Sequence, residues 1–148
     1  DMMANAAFYY GLVRALAEQE RPVWTRMSFA AARDNLTEGA RDGIDARLFW
    51  PGLGEVPVTE LVLRHLLPLV HEGLAAWGVD SSVADRLLDI IERRCVLHSN
   101  GAEWQADTFH RLDADRKTSS RHEALQQMLR RYVEHMHSNE PVHTWPVE

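Results

Sequence analysis

The chain has 148 residues, 45% of them hydrophobic, with 22 acidic against 16 basic side chains and a formal net charge of −6. That length supports one ordinary core, so a single helical domain over residues 1–148 is expected. The acidic balance excludes a nucleic-acid surface, which needs clustered Lys and Arg, whereas Arg93-Arg94 and Arg130-Arg131 stand as isolated pairs. The longest apolar run, residues 6–13, is far too short to span a membrane, and no segment with a basic start and a small-residue cleavage site opens the sequence. A soluble cytoplasmic protein with no nucleic-acid or membrane partner is therefore expected. Cys95 is the sole cysteine, which excludes a disulfide framework and a thiolate metal cluster. Asp1 precedes two methionines and a helical pattern, so the chain reads as a piece of something longer.

The elements follow in order. Residues 4–20 carry Phe8, Leu12, Val13 and Leu16 at helical spacing, and Pro22 stops that helix. Ser28 caps a second helix that runs to Gly43. On it Phe29, Ala32, Leu36 and Ala40 form a core stripe, while Asn35, Glu38 and Arg41 share the opposite face, which is either solvated or the lining of a site. Residues 44–56 lack a helical period, and Pro51-Gly52 and Gly54 mark a turn-rich crossover with room for at most one short hairpin. Pro57 opens a third helix, to about Trp77, with a kink at Pro68 and a stop at Gly78.

Ser82 with Asp85 resembles a capping box for a helix through Cys95, with Val83, Leu87, Leu88 and Ile91 inward. Asn100-Gly101-Ala102 is a turn into a short helix over residues 103–112. Ser120 with Glu123 repeats the capping signal before Leu125, Met128, Leu129, Tyr132 and Val133. The tail from Pro141 to Pro146 is expected to be extended. The whole reads as all-α, with five or six helices.

Chemistry motifs are scarce. There is no glycine-rich phosphate loop and no His-Glu-x-x-His pair. Cys95 with His98 sketches a thiolate and base, but a lone Cys ending an apolar helix reads as core. His135 and His137 sit two apart and point to different sides of a helix, which argues against a metal shared with His143. His65 and His71, flanking Pro68, pack or face water. Trp24, Trp50, Trp77, Trp104 and Trp145 read as inter-helix packing, with an aromatic-lined pocket as the alternative.

Four stretches, in order, resemble the bacterial carboxylate-amine ligases of the glutamate-cysteine ligase family. Asp34, Asn35, Arg41, Gly43 and Asp45 are similar to its acidic-Asn, Arg, Gly, acidic pattern. Residues 6–16, with Arg14, resemble its alanine-rich helix; Val56, Pro57, Glu60 and Leu61 resemble its Val-Pro-x-x-Glu-Leu opening. Gly101, Ala102 and Gln105 resemble its Gly-Ala-x-x-Gln element. Thr37 stands where the family often has Trp, Asp42 where it has an aromatic, and the tail from Asn139 has no counterpart, which marks a divergent subgroup.

The resemblance implies the C-terminal helical region of a larger α+β ligase of the glutamine-synthetase-like superfamily, inactive by itself. Its partner is an N-terminal catalytic sheet domain of the same protein that presents carboxylates to ATP and Mg2+; no cofactor is expected for the fragment alone, and no metal site on it. The reaction phosphorylates a carboxylate and lets an amine displace the phosphate. Arg41 is then the catalytic cation for developing negative charge and Asn35 orients the reacting group, with Arg14, Arg33 and Gln105 as substrate or phosphate ligands. The competing role of Arg41 is an ion pair with Glu38 or Asp45, or a favourable charge at a helix C-terminus. The competing function is a non-catalytic helical protein-interaction module. Self-association as a homo-oligomer through Phe49, Trp50 and Leu53 is also expected.

Overall fold

The structure, a computed structural model, describes residues 1–19, 23–114 and 120–147. Its elements are α1 (Met2–Ala17), α2 (Phe29–Asp42), β1 (Arg47–Trp50), β2 (Gly54–Pro57), α3 (Val58–Leu61), α4 (Leu67–Ala76), α5 (Ser81–Leu97), α6 (Gly101–Ala114) and α7 (Arg121–Ser138). A π turn over Val62–Leu66 joins α3 to α4 without a break, so the helix-dominated fold with one short hairpin agrees with the sequence reading. The stop expected at Pro22 lies outside the described residues. No described helix is long and apolar enough to cross a membrane.

Pro68 accounts for the π turn. A proline inside a helix lacks its N–H and crowds the carbonyl four residues back. The backbone widens just ahead of it, where the Leu67 N–H reaches the Val62 carbonyl, and Pro68 falls in the first turn of α4, where no N–H is missed. Gly78, at φ +74°, then ends α4: its N–H bonds to the Ala75 carbonyl (2.9 Å) and that of Val79 to the Leu74 carbonyl (3.0 Å).

The chain divides into two compact units, Met2–Val96 and Leu97–Glu148 with Asp1. The core of the first holds Ala4, Leu67, Val70, Leu74, Ala84, Leu88 and Ile91, with Phe8 and Leu12 packed against it. Here α1 and α4 cross at two glycines. A Cβ on Gly11 would lie 2.6 Å from the Val70 carbonyl oxygen, and one on Gly73 would strike the Gly11 carbonyl, so backbone meets backbone. Cys95 is buried in α5, which pushes its thiol up against the opposing pull of the Arg94 guanidinium. That is core behaviour rather than a nucleophile's.

Two local expectations are corrected. The α2 stripe predicted to be core is exposed, Phe29 at 86% and Leu36 at 75%, and α2 buries no residue at all. The helix turns its polar face, with half-buried Asn35 and Glu38, toward the hairpin instead. Helix α5 starts at Ser81, one residue before the predicted cap, because Asp80 is the residue that caps it: its carboxylate accepts from the Ser82 N–H (2.9 Å) and hydroxyl. Those bonds favour the charged form and hold the Asp80 carboxyl below its usual range. On α7, Met128 is buried, while Leu125, Leu129 and Val133 are exposed. Ser28 and Ser120 do cap α2 and α7, accepting from the Ala31 and Glu123 N–H groups.

In the second unit α6 and α7 enclose Trp104, Leu112, Ala124, Met128, Val142 and Trp145. The tail is not simply extended. A 3-10 turn over Val142–Thr144 returns it to the core, where Val142 and Trp145 are buried. Trp145 stacks on His135 (5.1 Å between ring centroids) and meets Trp104 edge-on (5.4 Å). Both indoles are satisfied: Trp104 donates to the Pro146 carbonyl (2.9 Å) and Trp145 to that of Glu140 (3.0 Å).

Candidate functional site

The stretch from Asp34 to Ala46 folds as one piece with the hairpin that follows it. Strand β1 pairs antiparallel with β2, Phe49 opposite Glu55 and Trp50 opposite Gly54. The turn between them carries Pro51 and Gly52, with Gly52 at φ +90° and the Leu53 N–H on the Trp50 carbonyl (3.0 Å), the arrangement that proline followed by glycine favours. Phe49 and Trp50 are half-buried and Leu53 is exposed.

Asn35 ties α2 to this hairpin. Its Nδ2 donates to the Phe49 carbonyl (2.8 Å) and its Oδ1 accepts from the Phe49 N–H (2.7 Å). In an antiparallel ladder both polar groups of one residue point to the same side, so the Asn35 amide completes the edge of β1 that β2 leaves open. A Gln would overreach and an Ala would leave both groups to water.

Between α2 and the hairpin lies an open groove of about 660 Å³. Its walls carry five carboxylates, from Asp34, Glu38, Asp42, Asp45 and Glu55, against the guanidiniums of Arg41 and Arg47. Arg41 forms a two-pronged pair with Asp42, Nε to Oδ1 at 3.0 Å and Nη2 to Oδ2 at 2.8 Å, and its Nη2 also pairs with Glu38. These partners hold the Asp42 carboxyl below its usual range and raise the guanidinium further above neutrality. The partners are Glu38 and Asp42 rather than Asp45. Only Nη1 of Arg41 is left to meet a ligand. Arg47 donates to the Glu55 carbonyl (3.0 Å).

The structure brings two of the predicted site residues, Arg41 and Asn35, to one groove, and places the other three elsewhere. Arg33 is exposed and pairs with Asp34 (3.3 Å). Arg14 pairs with Glu18 (2.6 Å) and lies over the Trp77 ring (5.1 Å). Gln105 belongs to α6 in the second unit and is half-buried. Arg47 and Glu55 line the groove without having been singled out in the sequence; only the hairpin register brings them there.

The five carboxylates outnumber the two arginines, both of which are engaged, so the groove carries an excess of negative charge. Among the described residues no group of three or more His, Cys, Asp or Glu is placed to hold a metal ion. The excess negative charge suits an ammonium or guanidinium group. No protein-family model, curated protein or solved structure matches the chain.

Proposed function

We propose that this chain is the C-terminal helical region of an ATP-dependent carboxylate-amine ligase similar to the bacterial glutamate-cysteine ligases, working in the cytoplasm where ATP is available. The observation that carries the reading is the Asn35 clamp: the stretch on which the resemblance rests is one unit of helix, glycine stop and strand, and its Asn has a defined task in holding that unit together. The reading leaves ATP and Mg2+ to a sheet encoded elsewhere in the protein, and gives the acidic groove the attraction of the amine-bearing substrate. Arg41 moderates that charge and presents Nη1 to a carboxylate of the substrate.

The test is amide formation by the full-length protein. With ATP, Mg2+, a carboxylate such as glutamate and an amine, phosphate release should depend on both organic substrates, and hydroxylamine should trap the acyl phosphate as a hydroxamate. Arg41→Ala should then lower turnover while the melting temperature stays nearly constant, because exposed ion pairs contribute little to stability. A matched loss of both would leave Arg41 with its ion-pair role alone. A second reading, a non-catalytic helical interaction module, is favoured by the exposed Phe29 and Leu36 of α2. Full-length protein that makes no amide from any carboxylate and amine offered would decide for it.

A further inference from the structure

The tail after α7 is held by its own unit in the way a receptor holds a peptide. Two of its side chains are anchors: Val142 and Trp145 are buried among residues of α6 and α7. The Trp145 ring meets those of Trp104 (5.4 Å between centroids), Tyr132 (5.5 Å) and His135 (5.1 Å). Its main chain is held by side chains. The Trp104 indole donates to the Pro146 carbonyl (2.9 Å), Arg111 Nη1 to that of Val147 (2.9 Å), and the Val142 N–H donates to Asp1 Oδ2 (3.1 Å). Each of these partners lies at or before His135 in the chain, so a second copy offers the same set.

We infer that two copies of the chain exchange this segment, each tail docking between α6 and α7 of the other. Only Ser138, Asn139 and Glu140 join α7 to the bound segment, and the reversal turns on Asn139, which is exposed and sits in the left-handed region at φ +60°, ψ 18°. That region is disfavoured for a residue with a side chain. Glu140 precedes Pro141 and so favours extended backbone, and Pro141 is itself extended at φ −62°, ψ 139°. A short hinge of this kind invites exchange. An undocked tail is costly, because it exposes the Trp145 and Trp104 rings and parts the Trp104 indole from its acceptor. The closed monomer and the exchanged dimer share every docking contact and differ at the hinge alone. Closure within one copy has the advantage of an effective concentration on the order of millimolar, so exchange sets in toward that concentration or when the hinge resists reversal. This inference stands independently of the ligase reading.

Sedimentation of the full-length protein, refolded over a concentration series, tests it together with two hinge variants. Asn139→Gly frees the left-handed turn and should raise the dimer dissociation constant. Asn139→Ile resists that turn and should lower the constant by about a hundredfold, since each dimer relieves two hinges. Trp145→Ala removes the anchor and should abolish the dimer in both backgrounds, while circular dichroism shows the helices retained. Copies labelled only at Trp, refolded with copies labelled only at Tyr and His, should show nuclear Overhauser contacts from Trp145 of one copy to Tyr132 and His135 of the other. A monomer at every concentration in the wild type and in Asn139→Ile overturns the inference, as does a dimer that responds alike to Gly and Ile at the hinge. So does a dimer whose Trp145 contacts stay within one copy.

Discussion

Asn35→Ala removes two hydrogen bonds at once, both to the main chain of Phe49, at 2.8 and 2.7 Å. A typical intramolecular hydrogen bond contributes a net 0.5–1.5 kcal/mol, so the pair is expected to contribute about 1–3 kcal/mol to the docking of β1 on α2. The loss is local. The contacts of α1 with α4 and the buried core of the first unit do not include this clamp, so the hairpin should open without the rest unfolding. Native-state hydrogen exchange at the Phe49 amide reads this directly: at tenfold per 1.4 kcal/mol, protection should fall by about one to two orders of magnitude. Amides of α4 should keep theirs. Asn35→Asp retains an acceptor for the Phe49 N–H but turns a carboxylate oxygen on the Phe49 carbonyl, so it should retain part of the amide protection while still loosening the hairpin. Unchanged protection at Phe49 in Asn35→Ala would refute the clamp. An equal loss across α1 and α4 would show that the hairpin and the core unfold as one.

Three further outcomes follow from the same geometry. Gly73→Ala should destabilise by about 3 kcal/mol in chemical denaturation, because the added methyl meets the Gly11 backbone, whereas Gly39→Ala, with nothing within 4 Å, should stabilise by about 0.5–1 kcal/mol. Thr108 is fully buried with no partner for its hydroxyl among the described residues, so Thr108→Val should leave the melting temperature unchanged or raise it. Asp80 has a lowered pKa in the folded state, so the unfolded chain binds more protons in acid; the cap's stabilisation is complete above the ordinary value of 3.8 and is lost as the pH falls through the folded pKa. Asp80→Asn should therefore flatten the acid limb of the stability profile, as measured by urea titration between about pH 2 and 5.

What the sequence revealed, and what it concealed, divides along the range of the interactions. Ser28, Ser120, Gly43 and Gly78 act on backbone groups within a few residues, so their positions alone mark where helices begin and end. The hairpin strands are four residues each, too short for an alternating pattern, and are held from outside by a side chain fourteen residues away. Facing was the hardest property to read. Periodicity identifies an apolar stripe but not whether this chain supplies its cover; α2 and α7 both have stripes that it leaves open. The groove inherits that difficulty: Arg41 and Asn35 were legible from spacing, while Arg47 and Glu55 reach it only through the register of β1 on β2.

The two faces of α2 are coupled through Asn35. Because the clamp fixes the helix by its polar side, Phe29 and Leu36 must point away from the hairpin, and any element that covers them acts on the same rigid helix. In the ligase reading that element is the catalytic sheet. Covering Phe29 and Leu36 favours the conformations in which α2 is formed, and those are the conformations in which Asn35 can hold Phe49 and the groove carboxylates keep their places. Docking of the sheet and order in the groove therefore rise together. Phe29→Ser, a substitution less than two turns along the helix from Asn35, should lower protection at the Phe49 amide in the full-length protein if the sheet covers this face. Equal protection in both proteins would mean that the face is open and that α2 is held by the hairpin alone.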